Sequence, residues 1–292
     1  MTRRTLIAST VTAFAASAAA ANRLPIKKGV LTSMLPNNLS WKDKFQLAKD
    51  VGFDAVEGQT TEDVAVETEM RKASEATGVP IHSVMNMAHW QFPLSSSDSA
   101  AVERSMKGME TSIRNAAAWG GTTVLLVPGV VNAQTSYADA YKRSQVQIRK
   151  LIPLAEKSKI IIAVENVWNK FLLSPLEFAN YVDSFQTPWV KAYFDVGNIQ
   201  LYGFPADWIR TLGKDRIAKV HLKDFHNRQN QIIRASVPSF VNLRDGDLDW
   251  KDIHKAFTEI GYKGYATVEL KGGDEKYLRD VASRVDMILN GD

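Results

Sequence analysis

The fold is decided by one continuous stretch, IIIAVENVWNKFLLSPLEFANYVDSFQTPWVKAYFDVGN, at residues 160–198. Its β-prone runs at 160–165 and 190–195 predict two strands, and apolar residues at helical spacing predict a helix over 175–185 between them. The dipeptide Ser174-Pro175 fits the cap and the first position of that helix. A strand, a helix and a second strand in this order predict parallel pairing through a right-handed crossover.

The same alternation continues on both sides of this stretch. Further strands are predicted at 29–34, 53–57, 79–87, 123–127, 217–222 and 265–270, and further helices at 41–51, 62–77, 98–119, 137–157, 205–212, 250–260 and 275–289. Eight strands and eight helices predict an α/β protein, a single-domain (β/α)8 TIM barrel over residues 22–292. The longest loop, 225–249, follows the seventh strand, on the face where barrels handle their substrates.

A doubly wound open sheet is the alternative to the barrel. Such a sheet normally carries a glycine-rich turn after its first strand, where the backbone approaches a dinucleotide. Here the first predicted strand is followed by Leu35-Pro36-Asn37-Asn38, without a glycine. The sequence therefore favours the barrel and gives no sign of a dinucleotide site.

The amino-acid composition limits which side chains could bind a metal or a partner. Of the 292 residues, 45% are hydrophobic and 23% are charged, as in an ordinary globular protein, and no cysteine is present. Any metal must therefore be held by His, Asp, Glu or backbone oxygen. The net charge of +4 falls to +2 when residues 1–21, which carry two arginines and no acid, are left out. A net charge this close to zero predicts no nucleic-acid partner. A homo-oligomer is compatible with the sequence.

The first 21 residues are typical of an export signal. Arg3-Arg4 is followed by an uncharged, alanine-rich stretch, and Ala16-Ser17-Ala18 and Ala18-Ala19-Ala20 fit small-x-small cleavage sites. The arginine pair indicates the twin-arginine route, so we expect a periplasmic protein. If residues 1–21 form only a frayed helix, the protein stays in the cytoplasm. With no run of about 18 apolar residues, no membrane span is expected.

Four predicted strands end in a side chain that can bind a metal. Glu165 ends the fifth strand, Asp195 the sixth, His221 lies in the seventh, and Glu269 lies in the eighth. In a barrel these four side chains converge at the C-terminal mouth. Each alone could be the solvated start of a loop or a core histidine, but four together predict a site for one divalent ion. Three carboxylates and one imidazole suit Mn²⁺ first, with Mg²⁺, Co²⁺ or Zn²⁺ as alternatives.

The segments around these residues resemble one superfamily. VENVWNKFLLSP (164–175), FDVGN (194–198), KVHLKD (219–224) and GYATVEL (264–270) resemble the xylose isomerase-like TIM barrels, a superfamily of sugar isomerases and epimerases, and the likeness extends over 28–290. With AHWQFPLSSSD (88–98), the pattern is most similar to the L-ribulose-5-phosphate and L-xylulose-5-phosphate 3-epimerases. The resemblance implies that Glu165, Asp195, His221 and Glu269 bind the metal, and that Glu165 and Glu269 are the catalytic acid and base.

Epimerisation explains why two carboxylates are needed. A proton beside a ketose carbonyl is too weakly acidic for an unaided carboxylate, so a divalent ion must stabilise the enediolate. One glutamate removes the C3 proton, and the other delivers a proton to the opposite face. The alternative is a metal-dependent lyase or hydratase acting on an oxidised (3-keto) sugar or glycoside through the same enolate chemistry. A non-catalytic exported sugar-binding barrel is a third hypothesis.

Six further residues are candidates for binding a small-molecule sugar. They are Glu57, His89, Trp168, Asn198, Lys223 and Arg228. His89 either closes over the substrate or is a surface loop histidine, and His82 is expected inside the barrel. Asn198 stands where many sugar epimerases of the superfamily have His. Export argues against a phosphorylated substrate, because sugar phosphates are mainly cytoplasmic.

Overall fold

A computed structural model describes residues 23–201, 203–226 and 240–292 of the chain. Its strands are β1 (Lys27–Leu31), β2 (Ala55–Gln59), β3 (Ile81–Met85), β4 (Thr123–Leu126), β5 (Ile161–Glu165), β6 (Val190–Asp195), β7 (Ile217–Leu222), β8 (Asp224–Phe225), β9 (Phe240–Val241) and β10 (Tyr265–Val268). Eight of them close a barrel in the order β1-β10-β7-β6-β5-β4-β3-β2, and all neighbours are parallel. The predicted (β/α)8 barrel is confirmed, and the open sheet is excluded.

The helices follow the barrel strands in turn. They are α1 (Trp41–Asp50), α2 (Val64–Thr77), α3 (Ser99–Ala118), α4 (Tyr137–Ser158), α5 (Pro175–Asp183), α6 (Val196–Ile199), α7 (Pro205–Arg216), α8 (Trp250–Ile260) and α9 (Glu275–Asn290). The Ser174 hydroxyl accepts the Glu177 N–H and caps α5 as predicted. Gly78 ends α2 with φ of 72°, a conformation that residues with a Cβ rarely adopt. None of the described helices is long and apolar enough to cross a membrane.

Short elements account for most differences from the prediction. The first strand ends at Leu31, and Thr32–Met34 forms a 3₁₀ turn instead of its last residues. The loop expected over 225–249 contributes to an antiparallel ribbon in which Asp224 pairs with Val241. The short helix α6 was also missed. Strands of two residues and helices of one turn are too short to leave a periodic pattern in the sequence.

Polar side chains fill the barrel interior behind the mouth. Strand side chains alternate between faces, so Tyr193 and Asp195 of β6 lie on one face and Phe194 on the other. His82 Nε2 lies 2.8 Å from Thr267 Oγ1, and the His82 ring stacks on Tyr265, which confirms the expected interior histidine. A Cβ at Gly29 would come within 2.7 Å of Thr267 Oγ1, so only glycine leaves room for this contact.

Candidate metal centre and active site

The four predicted ligands meet at the mouth of the barrel. Strands β5, β6 and β7 carry Glu165, Asp195 and His221, and Glu269 directly follows β10. One ligand atom from each lies within 4.8 Å of the other three. His221 Nδ1 is 3.0 Å from Glu165 Oε1, 2.8 Å from Glu269 Oε2 and 3.9 Å from Asp195 Oδ2. His221 and Asp195 are fully buried, and Glu269 keeps part of its side chain exposed.

The donor set fits a divalent cation. Within the described part of the chain, Asp195 Oδ2 and Glu269 Oε2 are buried oxygens that accept no well-directed hydrogen bond. Buried carboxylate oxygens that lack well-directed hydrogen bonds are costly, because burial removes their hydration, and among the described residues only the nearby charge of Lys223 and His221 compensates for it. An ion between the four side chains would satisfy both oxygens and separate three like charges. Carboxylate and imidazole ligands are suited to Mn²⁺, Mg²⁺, Co²⁺ and Zn²⁺.

The two glutamates differ in their electrostatic environments. Burial raises the pKa of Glu165, and the nearby Glu269 charge raises it further, although His221 opposes both. Burial also disfavours the charged form of Glu269, but the positive charges of Lys223 and His221 outweigh it and hold its pKa below the usual range. Two carboxyl groups with opposite shifts are typical of an acid and base pair.

Lys223 lies beside the cluster. Its Nζ is 2.8 Å from Glu269 Oε2 and 3.1 Å from Asp195 Oδ2, and the side chain is 12% exposed. Burial lowers the pKa of Lys223, but the two carboxylates raise it by more, so the ammonium stays charged. A Cβ at Gly197 would come within 2.6 Å of the Lys223 Cβ and 2.9 Å of its carbonyl oxygen. Gly197 therefore allows α6 to approach the backbone that carries Lys223.

Glu57 lies behind His221 in the middle of β2, which continues to Gln59 beyond the predicted strand end at residue 57. It is fully buried, and its Oε2 is 3.3 Å from His221 Nε2. The Tyr193 hydroxyl donates a short hydrogen bond to the same oxygen. The structure thus brings Glu57, a predicted substrate contact, to the far side of the cluster's histidine. Tyr193 was missed, although its position two residues before Asp195 puts both on one face of β6.

Asn198 connects the ends of β5 and β6 through hydrogen bonds. Its backbone N–H donates to Asp195 Oδ1 at 2.8 Å, and its side-chain amide donates to the Asn166 carbonyl at 2.9 Å. Asn166 in turn accepts the Asp195 N–H and donates to the Asp195 carbonyl. These bonds fix one Asp195 oxygen and leave Oδ2 directed at the cluster. Asn166 was missed, and its signal was its place directly after Glu165.

His89 is buried and neutral. It is 2% exposed, and its Nδ1 accepts the Val127 N–H at 3.2 Å. Burial lowers the pKa of His89 to about 4, although the Glu269 charge partly opposes this. The alternative of a surface loop histidine is therefore wrong. Trp90 packs edge-on against the ring and is itself exposed.

An aromatic cluster lies beside the mouth. The Trp168 ring stacks on Phe240 of β9 with centroids 5.3 Å apart and meets Phe225 of β8 edge-on. The indole N–H of Trp168 donates to the Asn198 carbonyl. Lys223 Nζ lies 5.7 Å from the centre of the Phe240 ring. Arg228, the remaining substrate candidate, lies outside the described residues.

Comparison with known proteins places the chain in a family. The model of the xylose isomerase-like TIM barrel family matches residues 45–286, so the chain belongs to that family. SgbU of Escherichia coli (strain K12), provisionally named an L-ribulose-5-phosphate 3-epimerase, is 29% identical over 83% of this chain and 87% of its own length. The L-ribulose-5-phosphate 3-epimerase UlaE of Escherichia coli O1:K1 is 25% identical over 84% and 87%.

Solved structures share the fold. A D-tagatose 3-epimerase-like protein superposes with a TM-score of 0.76 at 17% identity, covering 90% of this chain and 98% of that one. The protein IolI, solved with a bound zinc atom, superposes with a TM-score of 0.73 at 15% identity, again covering 90% and 98%. With the named relatives, these findings identify the chain as an enzyme of the sugar epimerase and isomerase class.

Proposed function

We propose that this enzyme epimerises a ketose at the carbon beside its carbonyl, with a divalent metal held by Glu165, Asp195, His221 and Glu269. The observation that carries the proposal is the convergence of these four side chains around two buried carboxylate oxygens that accept no well-directed hydrogen bond. When bound, the metal supplies Lewis-acid polarisation of substrate oxygens, which makes the neighbouring proton acidic enough to remove.

Glu165 and Glu269 exchange the proton. They lie on β5 and after β10, three strands apart in the barrel order, so they reach the cluster from different sides. A base on one side and an acid on the other invert a carbon, whereas a single base would return the proton to the same face. Lys223 lies 2.8 Å from Glu269 and favours its ionised form, which is the form that can accept a proton, whereas burial raises the pKa of Glu165 and favours the form that can donate one.

Other side chains at the mouth hold Asp195 in place and offer contacts to the substrate. The Asn166 and Asn198 bonds fix Asp195, and the aromatic cluster of Trp168, Phe225 and Phe240 gives an apolar wall on which a sugar face can pack. Lys223, held against the carboxylates, is within the reach of a substrate hydroxyl or carbonyl oxygen at this mouth.

We propose an unphosphorylated sugar or keto-glycoside as substrate. Of the eight loops at the mouth, those after β1, β2, β3, β4 and β6 contain no lysine or arginine. The other three carry Lys170, Lys271 and the basic residues after β7, of which Lys223 is engaged by two carboxylates. A phosphate dianion is usually held by cationic side chains or several backbone amides. The export signal proposed over residues 1–21 supports the same choice. Because SgbU and UlaE are named as L-ribulose-5-phosphate 3-epimerases, L-ribulose 5-phosphate is the compound to compare with unphosphorylated sugars.

The test is incubation of metal-loaded protein in D₂O with a panel of ketoses, keto-glycosides and L-ribulose 5-phosphate, followed by NMR. The proposal predicts an epimer that carries one deuterium at the inverted carbon, formed faster from an unphosphorylated compound. A product that has lost a β substituent would establish the lyase instead. No exchange with any compound, from protein shown to hold metal, would contradict the proposed activity.

A further inference from the structure

A buried hydrogen-bond chain continues from the cluster into the barrel. His221 Nδ1 faces the three carboxylates, and His221 Nε2 faces Glu57 Oε2 at 3.3 Å. The Tyr193 hydroxyl donates to that same Glu57 oxygen. Glu57, Tyr193 and His221 are each fully buried. The chain therefore holds the one imidazole of the cluster from the side that faces away from the proposed metal.

The chemistry of these groups fixes the hydrogen-bond directions. An ionised carboxylate only accepts, so the bond between Glu57 and His221 requires the proton on Nε2. Lys219, 7% exposed in the same interior, interacts electrostatically with Glu57 and supplies a nearby positive charge. The Nε2–H bond to Glu57 holds the ring in one orientation, and Nδ1, the other ring nitrogen, faces the opposite way. Nδ1 is the nitrogen that lies among Glu165, Asp195 and Glu269.

We propose that Glu57, held by Tyr193, is a positioning residue that accepts the His221 Nε2–H and so holds the ring with Nδ1 directed at the metal. The proposal rests on the metal centre proposed above and adds a role for two residues that lie outside the four-residue cluster. A carboxylate behind a metal-binding histidine orients the ring and increases its basicity, and its loss typically weakens metal affinity about 10- to 100-fold.

Glu57→Gln is the direct test. Glutamine keeps the shape of the side chain but is uncharged, so a bond that it accepts from His221 Nε2–H is weaker than the bond to a carboxylate. Zn²⁺ affinity is measured by calorimetry, and the strength of the Nε2–H bond by the ¹H shift of that proton in ¹H–¹⁵N NMR of Zn²⁺-loaded protein labelled at histidine. Ser83→Ala is the matched control, because the Ser83 hydroxyl lies 3.4 Å from the Tyr193 hydroxyl and has no hydrogen bond with Glu57 or His221.

We expect Glu57→Gln to bind Zn²⁺ about 10- to 100-fold more weakly, with the His221 Nε2–H proton of the Zn²⁺-loaded protein shifted upfield, and Ser83→Ala to match wild type. Wild-type affinity in Glu57→Gln overturns the proposal. Weaker binding with an unchanged Nε2–H shift overturns it as well, since the loss would then reflect only the missing charge. If Glu57→Gln does not fold, Tyr193→Phe is judged by the same two measurements. Wild type that binds no Zn²⁺ would refute the metal centre itself.

Discussion

His89 should make the protein sensitive to mild acid, and the size of the effect follows from its surroundings. The ring is 2% exposed, and its Nδ1 accepts the Val127 N–H, so a proton on Nδ1 would both bury a charge and remove an acceptor. The pKa is about 4 in the fold, against 6.5 for an exposed histidine. A difference of about 2.5 pKa units corresponds to roughly 3 kcal/mol of unfolding free energy.

The sign of the pH effect on stability depends on whether the folded or the unfolded state binds the proton first. Because the pKa is depressed in the folded state, the unfolded chain protonates first as the pH falls. The contribution of His89 is therefore complete above pH 6.5, declines between pH 6.5 and about 4, and is lost below. At pH 4.5 about 2.5 kcal/mol of it should be gone.

His89→Gln isolates this contribution, because the glutamine carbonyl can accept the Val127 N–H and does not titrate. The measurement is urea unfolding of both proteins at pH 7.5 and pH 4.5, with chelator present so that metal release does not contribute. The variant should lose about 2.5 kcal/mol less than wild type between the two pH values. Equal losses, within about 0.5 kcal/mol, would refute the reasoning that His89 is a buried neutral acceptor.

Three further predictions concern the metal, the charge balance and export. His221→Ala should lose the bound metal yet keep the circular dichroism of the folded barrel, because His221 lies at the mouth; stoichiometric metal in the variant would contradict this. Lys223→Met should lower the unfolding free energy of metal-free protein at pH 7.5 by about 3 kcal/mol, because Glu269 loses a buried partner. Saturating Mn²⁺ should restore most of this lost free energy. Unchanged stability of the metal-free variant would refute the role of Lys223 as a partner of Glu269. A reporter fused after residue 25 should be exported, and Arg3→Lys with Arg4→Lys should block its export; export in the double variant would exclude the twin-arginine route.

The alternation of strand and helix was sufficient to predict the barrel, because each βα unit leaves its own periodic pattern. The same reasoning predicted that the four candidate metal ligands lie together, since parallel strands bring their C-terminal ends to one mouth. Glu165, Asp195 and His221 end or lie in three neighbouring strands, and Glu269 follows the next strand around the barrel. Strand position alone was enough to bring these four side chains together.

Roles that depend on side-chain partners could not be predicted in the same way. Glu57 also lies in a strand, but only the fold shows that its carboxylate meets His221 Nε2 and the Tyr193 hydroxyl. Trp168 was expected to meet a sugar, yet its ring stacks on Phe240, which lies 72 residues later in a strand of two residues. Contacts between loops distant in sequence leave no periodicity, so they require the structure.

The central claim is that Glu165 and Glu269 act on opposite faces of one carbon. Its most direct measurement is exchange of the substrate C3 hydrogen with D₂O, followed by NMR for each epimer separately in Glu165→Gln and Glu269→Gln, with metal content determined alongside. Both variants should epimerise at least about 100-fold more slowly, and each should retain exchange for a different epimer, because each keeps a different base. Near wild-type turnover with full metal, or exchange of the same epimer by both variants, would contradict the two-base account.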